Sequence, residues 1–224
     1  AITVTVLAAR EVSNNPLFLG FPNAVGVGGA FLVTQMFYKI SKKYSRLAAL
    51  SLTFFVGALG SVVLFYSLIV DSFILLMIGA LILGFGQSAT LQSRYAASFV
   101  ASEKFKATAL SLAVWFSVFG SVFGPRLVSV YSDYFDNLFN SELIVGYIVA
   151  MVGMLFASAS VLTFTTSNSL LREPAEVEEV AEKAIETKKD GNILTLLLVL
   201  NHFTMVVIMS ATPLHVQDLS LIHI

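Results

Sequence analysis

Few polar side chains in this chain stand where they could bind a solute or carry a proton, and each interrupts an apolar run. His202, Gln87, Gln92 and Arg94 lie inside such runs, with Met205 and Met209 one helical turn apart beyond His202. An imidazole titrates near neutrality, so His202 suits proton exchange or contact with a solute. A neutral histidine can equally donate to a backbone carbonyl and do nothing more. Gln87 and Gln92 offer amides that can touch a solute or bond a neighbouring helix. The two methionines can line a soft pocket or simply pack. Arg94 reads either as one half of a gating pair or as a basic anchor at a helix end.

What the sequence lacks narrows the chemistry further. It has no P-loop, no His-Glu-x-x-His, no Gly-x-Ser-x-Gly and no cysteine, so neither catalysis nor a bound metal or cofactor is expected. A net charge of −1 gives no sign of a nucleic-acid partner.

Six apolar segments must position these residues, at 17–38, 47–69, 73–97, 107–131, 143–165 and 193–215. A bilayer core of about 30 Å takes roughly 20 helical residues to cross, and all six meet that length. Hydrophobic residues make up 57% of the chain and charged residues 12%, against about 25% charged in a soluble domain. The mean hydropathy is +0.85. The expected class is an all-α protein embedded in a lipid bilayer. Residues 1–9 are apolar but short and read as the end of an earlier helix, not as a signal peptide. The last six residues, 219–224, match the translation of a transposase end sequence used in DNA library preparation, so 217–224 is expected to be foreign.

Charge sets the expected orientation. The connection 39–46 holds Lys39, Lys42, Lys43 and Arg46 and no acid, whereas 132–142 holds Asp133, Asp136 and Glu142 and no base. Basic loops stay inside, so 39–46 and 98–106 are expected to be cytoplasmic and 132–142 external, in an inner (plasma) membrane. Residues 167–190 are acidic and mixed in charge, and by alternation they too fall inside. The expected organisation is a bundle over 1–166, a cytoplasmic linker over 167–191 and a further membrane helix over 192–216.

Several motifs then point to one family. Gly120, Gly124 and Pro125 stand in a Gly-x-x-x-Gly-Pro arrangement, and Ala113, Ser117, Gly120, Ser121 and Gly124 make one smooth helical face. Small residues of this kind let another helix approach closely, and Pro125 can bend its own helix. Lys42, Lys43 and Arg46 occupy the place of a basic inter-helix signature. An Arg94-Tyr-Ala-Ala element and a Met209-Ser-Ala-Thr-Pro213-Leu-His element complete the set. With six spans, a long linker and a seventh helix, the chain resembles the major facilitator superfamily. The resemblance implies its helical bundle, here the N-terminal six-helix half plus helix 7.

That resemblance implies a secondary transporter working by alternating access between two halves. The expected partners are a small-molecule solute, the lipid bilayer and protons as the coupling ion. Efflux of amphipathic compounds is the first expectation. Uptake of a nutrient and a non-transporting scaffold or sensor are the alternatives. Val128 and Ser129 stand where the family's efflux motif continues with paired glycines. The expected solute or proton residues are His202, Gln87, Gln92, Met205 and Met209. The expected gating or packing residues are Gly120, Gly124, Pro125, Arg94 and Pro213.

Overall fold

The computed structural model describes residues 2–13, 18–139 and 143–167, together with the isolated helical positions Leu200 and Thr204. Among the described residues six helices follow in order: α1 (Ile2–Val12), α2 (Phe21–Lys43), α3 (Arg46–Ile69), α4 (Phe73–Val100), α5 (Lys106–Phe139) and α6 (Ile144–Ser167). A 3₁₀ turn, Glu103–Phe105, precedes α5. Among the described residues no strand occurs. Among the described residues four stretches are long and apolar enough to cross a membrane: Arg46–Ile69, Phe73–Ser98, Lys106–Tyr131 and Ile144–Thr166. The sequence reading also expected a span in α2, which has the length at 23 residues. Its Asn23, Thr34, Gln35 and three lysines dilute the apolar run, so it is not one of the four. The expected linker beyond Ser167 and the expected span 193–215 lie outside the described residues, Leu200 and Thr204 apart.

The helices outrun the apolar segments that announced them. The expected loop 39–46 shrinks to Tyr44 and Ser45, because α2 continues to Lys43 and α3 begins at Arg46. Ser45 is extended, at φ −169° and ψ 161°, and its hydroxyl accepts from the Ala48 N–H. The expected acidic loop 132–142 is helical as far as Phe139, since α5 runs for 34 residues. An apolar run measures the hydrocarbon thickness, whereas a helix satisfies its own backbone at any depth and can carry charged turns into the headgroup layer.

The turn between α3 and α4 shows a tight reversal built from local chemistry. Asp71 sits at φ 50°, a left-handed conformation that aspartate tolerates better than most residues. Around it the Ser72 N–H reaches back to Ser67 O at 3.0 Å and the Val70 N–H to Tyr66 O at 3.1 Å. These bonds satisfy carbonyls that a helix end otherwise leaves free. Ser72 then caps α4, its hydroxyl accepting from the Leu75 N–H.

Glycines bring α4 into close contact with both α2 and α3. A Cβ on Gly60 would lie 2.4 Å from Leu83 N, and one on Gly57 would lie 2.5 Å from the Gly86 Cα. Such backbone contact suits lipid, where helices gain no hydrophobic drive by associating and depend on close packing. α6 closes over α3, and Ser51 and Ser158 lock that pair: each hydroxyl donates to the other's carbonyl oxygen at 2.9 Å. Each serine has one proton, so the 3.1 Å separation of the two hydroxyl oxygens is proximity and not a third bond.

Two apolar clusters mark the two ends of the bundle. One gathers Leu64, Leu68, Leu76, Leu83, Ile144 and Tyr147 near the α3–α4 turn. Tyr147 is fully buried there, its hydroxyl facing Thr5 without completing a well-formed hydrogen bond. The other gathers Phe37, Leu47, Leu50, Phe54, Ala89 and Ala96 beside the basic α2–α3 turn. That turn, with Arg94, Lys104 and Lys106, defines a basic end of the bundle.

Candidate functional site

α2 and α4 run parallel in a fixed register. The Gly84 position meets Gly26 and Ala30, and one turn further Thr34 meets Ser88. Across that contact runs a chain of side-chain hydrogen bonds. Gln92 Nε2 donates to Ser88 Oγ at 3.0 Å, Ser88 and Thr34 hydroxyls lie 3.2 Å apart, and Thr34 Oγ1 donates to Ala30 O at 2.8 Å. The direction of the chain follows from proton count. Thr34 spends its one hydroxyl proton on Ala30, so Ser88 must donate to Thr34 while accepting from Gln92. Gln92 is thereby held by its nitrogen, which leaves its Oε1 as an acceptor without a partner among the described residues. Ser88 stands about 22 Å along α4 from Phe73, well inside a bilayer's thickness.

A second polar group lies on a neighbouring face of α4. Gln87, Thr90 and Arg94 are spaced i, i+3 and i+7, which places them one above another along the helix. The Gln87 amide nitrogen reaches back toward α2, 3.9 Å from where a Cβ on Gly26 would stand. Thr90 is exposed, and its hydroxyl donates to Gly86 O at 2.9 Å. Gln87 and Arg94 are half-buried, and neither makes a hydrogen bond or ion pair with another described residue.

The other expected residues fall elsewhere. Gly120, Gly124 and Pro125 lie on α5, which continues unbroken through Pro125. None of the α5 span is buried, and a Cβ on Gly120 or Gly124 would meet nothing within 4 Å. The helix packing expected on that face is therefore not supplied by any described residue. Ser121 donates to Val118 O within its own helix, so the face is smooth and internally satisfied. About 130° around α5 lies an aromatic face, Trp115, Phe119 and Phe123, with ring centroids 5.5 and 6.4 Å apart. Lys42 stands in the last turn of α2, the Lys43 ammonium lies 5.3 Å from the centre of the Tyr44 ring, and Arg46 opens α3. His202, Met205, Met209 and Pro213 lie outside the described residues.

Sequence reasoning missed Thr34 and Ser88. Lone hydroxyls in apolar helices carry little signal, and only the α2–α4 register shows that this pair meets.

Comparison with known proteins decides the family. The Major Facilitator Superfamily model matches residues 1–222. The chain belongs to the Major Facilitator Superfamily. It is similar to the uncharacterized MFS-type transporter YdeG of Bacillus subtilis (strain 168), 31% identical over 229 residues, covering 96% of this chain and 53% of that protein. It is also similar to the uncharacterized MFS-type transporter YddS of the same organism, at 28% identity over 227 residues, covering 96% of this chain and 52% of that protein. The chain thus spans about half the length of the curated relatives it matches. No solved structure matches it. Membership of this transporter family agrees with the expected helical bundle and with a membrane setting.

Proposed function

We propose that the complete protein is a secondary transporter that moves a small amphipathic solute out of the cell by alternating access, driven by protons. One observation carries the reading. An apolar bundle holds an oriented hydroxyl–amide chain, Thr34–Ser88–Gln92, beside a face where Gln87 and Arg94 have no partner among the described residues. Polar groups at the depth of Gln87 and Ser88 are costly against lipid and belong against a cavity, a solute or another protein element. In this superfamily the solute site lies near the bilayer midplane, between two halves related by an axis along the membrane normal. The basic end, with Lys39, Lys43, Arg94, Lys104 and Lys106, is cytoplasmic in this reading, and the α3–α4 turn at Asp71 is external.

Proton handling is assigned to His202, ten residues into the apolar segment 193–215. In proteoliposomes of the complete protein, an imposed pH gradient is expected to drive accumulation of an amphipathic solute. His202→Gln keeps hydrogen bonding but cannot carry a proton, and it should flatten the pH dependence around the imidazole value of about 6.5. An unchanged pH profile for that variant, at unchanged flux, removes His202 from the coupling. Absence of any gradient-driven flux in the wild type favours a non-transporting role for the fold.

A further inference from the structure

We propose that the basic half of α4 is an anion-reading strip, which binds the carboxylate of an amphipathic solute at Arg94 and a polar group of the same solute at Gln87. This assignment rests on the transporter reading and adds a charge class to the solute.

The strip differs from an ordinary basic anchor. At the same end of the bundle Lys39, Lys43, Lys104 and Lys106 are all exposed, as residues holding a helix at the headgroup layer should be. Arg94 is half-buried instead, and no described carboxylate pairs with it. α2, α3, α4 and α6 contain no Asp or Glu at all. A guanidinium keeps its charge under all physiological conditions and presents a planar fork that fits a carboxylate through two parallel bonds. A half-buried fork without a counter-ion among the described residues is ready for one from outside.

The residues above Arg94 define what the rest of the solute can be. Thr90 has spent its proton on Gly86 O, so toward a solute it can only accept. Leu91, exposed beside it, offers an apolar surface. Gln87 lies seven residues from Arg94, about 10 Å along the axis, and its amide can donate and accept. Read from the basic end inward, the strip takes an anion, then an apolar stem, then a hydrogen-bonding group. The surrounding lysines raise the local concentration of anions at that mouth.

The test uses the complete protein purified in a non-ionic detergent, with octanoate, octyltrimethylammonium and octanol as probes of equal chain length and different charge. Octanoate is expected to raise the unfolding midpoint in a saturable manner, and the other two are not. Arg94→Gln should raise the octanoate Kd at least tenfold, Gln87→Leu should raise the Kd of 8-hydroxyoctanoate severalfold while leaving that of octanoate unchanged, and Arg94→Lys should retain binding intermediate between wild type and Arg94→Gln. Should Arg94→Gln not fold, the Lys and Leu variants carry the same comparison. Stabilisation that ignores probe charge, or no octanoate binding by the wild type, overturns the strip. Stabilisation by added phosphatidylglycerol but not by octanoate overturns the solute assignment and gives Arg94 to an anionic lipid. Flux in proteoliposomes is measured separately. Flux indifferent to Arg94 overturns the strip and spares the transporter reading, whereas charge-selective binding without flux keeps the strip and overturns transport.

Discussion

Gly84→Leu is expected to abolish the folded bundle, while Gly124→Leu leaves it intact. A Cβ on Gly84 would lie 2.1 Å from Gly26 O and 2.9 Å from Ala30 N, both backbone atoms that no rotamer change can move. The same holds across the contact, where a Cβ on Gly29 would lie 2.0 Å from Leu81 O. Overpacking typically costs about 1–3 kcal/mol where side chains can adjust, and here two helix axes must separate. Separation also breaks the Ser88–Thr34 bond one turn away. Yield of monodisperse protein and the unfolding midpoint are the readouts, and both should fall sharply. Gly124 faces open space in this half. Its leucine variant should fold and yet lose flux, because the small-residue face suits close approach of a helix outside the described residues. Normal yield for Gly84→Leu would mean the α2–α4 contact is looser than described.

Ser88→Ala should leave the protein folded and weaken solute binding about tenfold, which is 1.4 kcal/mol. The fold survives because interhelical hydrogen bonds in membranes average only about 0.6 kcal/mol. Binding suffers because Gln92 loses the acceptor that holds its amide nitrogen, so its Oε1 is no longer aimed. Gln92→Leu removes that Oε1 outright. The double variant should therefore be no worse than either single one, the non-additivity expected of residues acting as one unit. Additive losses would show that the two residues act separately.

The fold was legible in the sequence where composition alone decides it. Apolar length marked the cores of α3, α4, α5 and α6, because the bilayer fixes how many apolar residues a crossing needs. Helix ends were not legible, since Lys39–Lys43 at the end of α2 and the turns after Tyr131 in α5 are polar yet helical. Gln87, Gln92 and Arg94 stood out as polar interruptions, and the structure sorts them. Gln92 joins the hydroxyl chain, while Gln87 and Arg94 share the open face. Gly29, Gly57, Gly60 and Gly84 carried no sequence signal comparable to Gly120 and Gly124, yet they make the closest backbone contacts. A glycine motif shows that a face is smooth, but only the register of neighbouring helices shows which smooth faces meet.

Water access to the exposed face of α4 tests the account most directly. The chain has no cysteine, so single cysteines at Gln87 and Thr90 on α4 can be compared with ones at Val152 and Phe156 on α6. Val152 and Phe156 are well exposed, at 56% and 74%, but their apolar surroundings mark them as lipid-facing. In the complete protein in intact membranes, a charged methanethiosulfonate reagent should modify Gln87→Cys and Thr90→Cys and spare both α6 positions. Equal inertness at all four positions would place the α4 face against lipid or a sealed interface, and would contradict a solute path along it.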